Sequence, residues 1–248
     1  MIIINRFALR NSALPLALLV ALLILTQGVP AATWQPANGP LKTRWAKDVS
    51  PENAHPEYPR PQMVRKQWLN LNGLWDLAIV GKDEKPSGFP NRILVPFPVE
   101  SALSGVMKPV GEKDRLWYRR AFEVPKKWQG QRVWLHFGAV DFQATVTVNG
   151  REVGQHRGGY DGFGFDITDA LNKGGPNELL VAVWDPTDAG TQPRGKQVRK
   201  PNGIWYTPTS GIWQTVWLEP VGTASILDLK ISAFGGDWCH RRLGWVGG

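Results

Sequence analysis

Residues 144–156 read ATVTVNGREVGQH. Ala144, Val146 and Val148 alternate with Thr145 and Thr147, a period of two that puts apolar side chains on one face of a β-strand and hydroxyls on the other. The strand runs into Asn149-Gly150, a pair that tolerates the positive φ of a type I′ turn, so Arg151–His156 is expected to return as its partner. Outward from this hairpin the same alternation recurs. In Val133–Phe137, Val133, Leu135 and Phe137 alternate with Trp134 and His136. In Leu116–Val124, Leu116, Tyr118, Phe122 and Val124 share a face on which Arg120 is the one polar intruder. Further strands are predicted at Trp68–Val80 (broken near Asn72-Gly73), Arg92–Pro96, Gly162–Ile167, Glu178–Trp184, Ile212–Glu219 and Ser225–Ile231, and helical patterning is confined to a turn at Thr168–Asn172. About ten short strands with Gly and Pro between them predict an all-β fold, an antiparallel two-sheet jelly-roll sandwich. Val133, Leu135, Phe137, Val146 and Val148 are its expected core.

Composition agrees with that class. The 248 residues include 13 Trp, 27 Gly and 20 Pro, which suits short strands, shaped loops and indoles that fill a core or stack on a ligand. Cys239 is the single cysteine, so neither a disulfide framework nor a cysteine metal cluster is expected. The formal charge of +8 is scattered, densest over Arg194–Lys200, with no basic helix and no aromatic-basic repeat. It reads as a solvated basic surface, and nucleic acid is not an expected partner.

The ends have their own character. Met1–Asn11 carries Arg6 and Arg10 without an acid, Ala13–Thr26 is apolar, and Val29-Pro30-Ala31 places small residues before a cleavage point. This is the three-part pattern of a secretory signal peptide over 1–31, and its apolar run falls short of the ~20 residues that span a bilayer. The mature protein is therefore expected to be secreted or periplasmic and free of membrane. Residues 32–62 read as an extended arm over the domain, pinned by Trp34 and Trp45, and 63–222 as the sandwich. Residues 223–248 begin another strand and then lose all alternation from Phe234, which reads as a disordered, dispensable, frameshifted or truncated tail.

Four stretches, in order, carry a family resemblance: Leu71-Asn72-Gly73-Leu74-Trp75; Trp117-Tyr118-Arg119-Arg120-Ala121-Phe122 after Val95-Pro96; Phe142–Gly154 continuing to Gly159–Ala170; and Ser210–Leu218. Together they resemble the N-terminal sugar-binding domain of glycoside hydrolase family 2, the family of β-galactosidases, β-glucuronidases and β-mannosidases. The resemblance implies retaining hydrolysis by two carboxyl groups ~5–5.5 Å apart. It also implies that both groups come from a (β/α)8 barrel of ~250 residues as the partner of this domain. The residues after 222 are too few for that barrel, so the chain alone is expected to be inactive, with no catalytic residue, metal or cofactor of its own. Asn177-Glu178 matches the family's Asn-Glu acid pair only in letters, because it follows Gly174-Gly175-Pro176 and opens a sandwich strand. A G-x-S-x-G elbow, an H-E-x-x-H pair and a phosphate loop are all missing from the sequence.

Carbohydrate, as a β-glycoside or polysaccharide, is the expected ligand. The loop from Asp185 to Tyr206 is long and mixes carboxylates, guanidinium groups and Trp205-Tyr206, which suits hydroxyl edges and C–H faces of a pyranose. Asp185, Asp188, Arg194 and Trp205 are the candidates there, and Glu100 in the loop after Val95-Pro96 is the fifth. The resemblance implies that this loop reaches a neighbouring barrel mouth, and that Asp185 or Asp188 corresponds to an Asp that helps β-galactosidases hold a monovalent cation. Each candidate also has a structural reading as a loop hydrogen bond or surface charge. Three functions remain open: the front domain of a secreted family 2 glycosidase, a stand-alone carbohydrate-binding module, and a truncated product without a function.

Overall fold

A computed structural model of the chain describes residues 34–222, 224–233 and 239–245. The signal-like segment 1–31 lies outside them. In chain order the strands are β1 (Leu69–Asn70), β2 (Gly73–Gly81), β3 (Asn91–Val95), β4 (Asp114–Phe122), β5 (Arg132–Phe137), β6 (Val140–Asp141) and β7 (Gln143–Val148). They continue as β8 (Arg151–Arg157), β9 (Phe163–Asp166), β10 (Asn177–Trp184), β11 (Gly211–Ile212), β12 (Val216–Val221), β13 (Ile226–Ala233) and β14 (Cys239–Trp245). Helix among the described residues is limited to short 3-10 segments, and none is long and apolar enough to cross a membrane.

Two antiparallel sheets form the sandwich. One has the order β1-β12-β5-β9 and the other β3-β2-β4-β10-β7-β8. Strand β10 sits inside the larger sheet, where Val181 lies opposite Tyr118 on one side and Val146 on the other. The five expected core residues are all buried, at 2 % exposure or less. Burying each such side chain contributes about 1.5–3 kcal/mol, so the alternating face supplies the main driving force. The hairpin forms as its letters dictate: Asn149 has φ 49° and Gly150 φ 80°. Asn149 does more than turn the chain. Its side chain donates to Ala170 O and Asn177 Oδ1 and accepts the Glu178 N–H, all between 2.8 and 2.9 Å. Asn177 is thereby a hairpin brace and Glu178 an exposed strand residue, at the start of a sandwich strand as the sequence predicts. Gly154 is required by packing, because a Cβ there would lie 2.2 Å from the Phe165 ring.

The break at Asn72-Gly73 moves the chain from one sheet to the other, β1 to β2. Asn72 holds the crossing, donating to Ala54 O at 3.0 Å and accepting the Val216 N–H at 3.0 Å.

The arm is pinned differently from expectation. Trp45 is 60 % exposed, with the Arg44 guanidinium over its ring, and only Trp34 is partly covered. The fastening is Glu219 of β12, whose side chain is fully buried under the arm. Tyr58 Oη donates to its Oε1 at 2.6 Å, Arg60 Nη2 to its Oε2 at 2.5 Å and Trp217 Nε1 to Oε1 at 2.7 Å, with Arg65 Nε 3.4 Å away. Burial pulls the Glu219 carboxyl upward, but the Tyr58 and Trp217 donors and the charges of His136 and Arg60 outweigh it and leave it below its ordinary value. His136, beside it, is driven down to about 4, chiefly by burial.

The tail also departs from expectation. Cys239–Trp245 pairs antiparallel with Ile226–Ala233, so those residues are a strand rather than a disordered end. A run without period-two alternation can still pair through its backbone, since the ladder uses N–H and C=O groups that every non-proline residue carries. Residues 234–238 and 246–248 lie outside the described residues.

Removing one member of a buried ion cluster leaves the rest without compensation. Glu219→Gln is expected to lower unfolding free energy by about 3 kcal/mol, read by urea denaturation at neutral pH. The carboxyl is depressed in the fold, so its contribution is present above the unfolded value near 4.5 and is lost as pH falls through the folded value. A variant with unchanged stability at neutral pH would remove Glu219 as the fastening.

Candidate functional site

Strand β10 ends at Trp184, and the chain then runs without a strand to β11 at Gly211. Backbone geometry shapes this loop first. Asp185 Oδ1 accepts the Thr187 N–H at 2.7 Å, a local turn that carries Thr187 at φ 56°. Arg194 Nη1 donates to Asp188 O at 3.0 Å and Gln192 Nε2 to Thr187 O at 2.7 Å, so the first half is laced internally. The second half folds on itself, with Tyr206 N–H to Lys196 O at 2.8 Å and Val198 N–H to Tyr206 O at 3.0 Å.

Beside this lacing lies an open hollow of about 650 Å³ lined by Pro109, Asp188, Val198, Arg199, Lys200, Asn202 and Trp205. Its volume lies within the range of about 300–1,000 Å³ usual for ligand sites. Asp188 and Arg199 form its charged wall: Arg199 Nε donates to Asp188 Oδ1 at 2.7 Å, Arg199 N–H to Oδ2 at 3.1 Å, and Arg199 Nη1 to Glu112 Oε2 at 2.9 Å. Slight burial pulls the Asp188 carboxyl up, but the Arg199 hydrogen bonds and charge outweigh this and hold it below its ordinary value. It is an acceptor at any moderate pH. Trp205 keeps 38 % of its surface exposed rather than folding in beside Trp213 and Trp217. Ile204, Tyr206 and Tyr160 are exposed as well, and Tyr160 receives a 3.3 Å hydrogen bond from Gln197 Nε2. The mixture offers fixed acceptors, cationic donors and an aromatic surface, the set that binds polyhydroxylated rings.

The five sequence candidates therefore separate. Asp188 and Trp205 line the hollow. Arg194 braces the backbone of Asp188 from behind. Asp185 and Glu100 are only 6 % and 9 % exposed and lie beneath the loop, where Asp185 Oδ2 accepts the Ser210 hydroxyl at 2.5 Å and Glu100 Oε2 the Ser210 N–H at 3.0 Å. Neither lines the hollow. Their burial has a physical reason: Gly211 at φ 86° turns the chain into β11 so tightly that a Cβ there would lie 2.0 Å from Tyr118 Oη, and the adjoining Ser210 donors need buried acceptors. Arg199 and Asn202, polar groups of the same candidate loop in the sequence reading, line the hollow as well, and Lys200 is the polar lining residue it did not single out. The signal for Lys200 in the sequence was the basic density of Arg194–Lys200 in that loop. Among the described residues no group of three or more His, Cys, Asp or Glu is arranged to hold a metal ion.

Comparison with known proteins places this geometry. The family model described as "Glycosyl hydrolase 2 galactose-binding domain-like" matches residues 102–239. A β-glucuronidase of Paenibacillus borealis is 30 % identical over 146 residues, covering 56 % of this chain and 24 % of that protein. A β-galactosidase of Thermoanaerobacter pseudethanolicus is 35 % identical over 115 residues, covering 46 % and 14 %. The β-glucuronidase of Felis catus is 31 % identical over 242 residues, covering 82 % and 35 %. Among solved structures, a β-glucuronidase from an uncultured Clostridium superposes with a TM-score of 0.56 at 26 % identity, over 74 % of this chain and 35 % of that one. The chain thus spans only a minor part of the relatives it matches.

The Arg199 pairs are partly exposed, and such pairs contribute about 0–1 kcal/mol to global stability. Arg199→Ala is expected to leave the unfolding free energy within about 1 kcal/mol of the parent while raising the rate of proteolytic cleavage between Pro186 and Tyr206. Equal cleavage rates would show that the ion pair does not order the loop.

Proposed function

Since this chain belongs to the glycosyl hydrolase 2 galactose-binding domain-like family, we propose that it is the front sandwich of a retaining β-glycosidase and that its Asp188–Trp205 hollow forms part of the rim of that enzyme's sugar site. The observation that carries the reading is the convergence, on one long loop of a rigid sandwich, of a held carboxylate, Arg199, Lys200, Asn202 and an exposed indole. Loops on a rigid scaffold are where binding residues concentrate. The hydrolytic carboxylates belong to a catalytic barrel outside these 248 residues. This sandwich would orient sugar through hydrogen bonds to hydroxyls and contact with the indole, without taking part in proton transfer or nucleophilic attack. The exposed Tyr160, Ile204 and Tyr206 beside the hollow suit contact with such a neighbour.

The decisive experiment joins this domain to a matching barrel. Trp205→Ala and Asp188→Ala should each lower kcat/KM for an aryl β-glycoside about 10-fold or more with little change in melting temperature. Unchanged kinetics in both would reduce the hollow to a feature of the fold. The chain without a barrel should turn over no such substrate. A second reading, a self-standing carbohydrate-binding module, is favoured by the same hollow, and glycan-array binding by the lone chain would select it.

Export is part of the proposal, resting on the basic, apolar and small-residue succession of Met1–Ala31. A mature N-terminus beginning near Ala32, found in the periplasm or medium, is the expected outcome. An uncleaved cytoplasmic chain would contradict it.

A further inference from the structure

Three carboxyl groups reach the underside of the 185–210 loop from three separate parts of the fold. Glu100 comes from the turn after β3, Asp141 from β6 and Asp185 from the end of β10. They are 9, 4 and 6 % exposed. Ser210 joins two of them, its N–H on Glu100 Oε2 and its hydroxyl on Asp185 Oδ2. Asp141 lies against the Gln197 side chain, whose Oε1 accepts the Thr209 N–H at 2.5 Å. Every one of these contacts ends on the loop or on its return into β11. The second oxygen of Glu100, Oε1, is buried with no partner at all.

That orphan oxygen decides the chemistry. A buried carboxylate oxygen without a donor is costly, whereas a carboxylic acid carries its own donor and needs fewer partners. The surroundings add to the cost. Burial first, and then the Asp185 charge against the Ser210 donors, pushes Glu100 up to about 7. Burial and the charges of Asp185 and Glu100, opposed by Gln197, push Asp141 to about 7 as well. Asp185 is raised by burial, with Ser210 and Thr187 opposing and Asp188 adding repulsion. From β4 the Tyr118 phenol faces Glu100, and burial drives it above its ordinary value, so it supplies no charge to either side. The Asp188 charge, next outward, is compensated by Arg199.

We propose that Glu100, Asp141 and Asp185 form a proton-operated latch that holds the 185–210 loop down while they are protonated and releases it when they ionise. The held loop binds more protons than the released one. By linkage its extra stability is fully present below the unfolded values of 4.5 for Glu100 and 3.8 for Asp141, and it is lost as pH rises to about 7. Under the rim assignment proposed above, the sugar-facing hollow is then formed in acidic surroundings and loosened above neutrality. That consequence rests on the rim reading; the latch itself does not.

The test is amide hydrogen exchange on the full chain at about pH 5.5 and about pH 8, with rates corrected for intrinsic base catalysis and referred to the β7 amides. Protection over 187–210 should fall about ten-fold or more relative to β7 on going to the higher pH, and Glu100→Gln with Asp141→Asn should abolish that fall. A ratio unaffected by pH, or one that falls equally in the double variant, overturns the latch. If the variant does not fold, carbon-13 titration of the wild-type carboxyl groups replaces it: midpoints near 7 for Glu100 and Asp141 support the latch, and midpoints below about 5 for both overturn it. No sugar enters either measurement. A pH-dependent loop with flat Trp205→Ala kinetics rejects the rim alone, and the converse rejects the latch alone.

Discussion

Ser210 is clasped by two buried carboxyl groups, one taking its N–H and the other its hydroxyl, and the course of the whole 185–210 loop depends on that clasp. The chain leaves the larger sheet at Trp184 and pairs again at Gly211, in the short ladder of β11 with β6, where Tyr118 leaves no space for a side chain. The chain between these two points carries Asp188, Arg199 and Trp205. The candidate site is thus a by-product of a closure problem. Its residues are surface residues because the buried ones are occupied with holding the loop's foot.

The sandwich was legible because its information is local. Period-two alternation in Val133–Phe137 and Ala144–Val148, and a turn that needs positive φ at Asn149-Gly150, depend only on neighbours in sequence. What could not be read was long-range. Trp45 looked like an anchor because an indole is large and apolar, but the arm is held by Tyr58, Arg60 and Arg65 on a glutamate some 160 positions away. Glu219 itself sits in a strand and looks, by composition, like a solvent-facing residue. The same limit split the site. Asp185 and Asp188 are three positions apart in one polar loop, and nothing in their spacing tells that the first turns under the loop to Ser210 while the second turns outward to Arg199. The place of Asn177-Glu178 at the start of β10 was legible because the preceding Gly-Gly-Pro marks a strand's start, again a local signal. The tail was misread for a related reason: alternation reports a half-buried face, and a strand can pair without one.

The two buried acid systems show that burial alone does not decide the charge of a carboxyl group. Glu219 is fully covered from solvent, yet it remains below its ordinary value, because a phenol, an indole N–H and two guanidinium groups converge on it. Burial raises Glu100 and Asp141 to about 7, the nearby acids add to the rise, and the few neutral donors around them do not offset it. Donor count and the sign of the nearest charge separate the two cases. The consequence is a division of labour by pH. The clamp on the arm strengthens as pH rises from strongly acid values, since Glu219 must be ionised to hold Arg60. The acids under the loop contribute most when protonated and least above neutrality. The two dependences have opposite slopes and adjoin near the ordinary carboxylate range, so the arm and the loop are both held only in the mildly acidic interval between them. Within that interval the arm stays fixed across β12 while the loop over Ser210 is the element free to respond, which places the adjustable part of the domain beside the hollow and the rigid part on the opposite sheet.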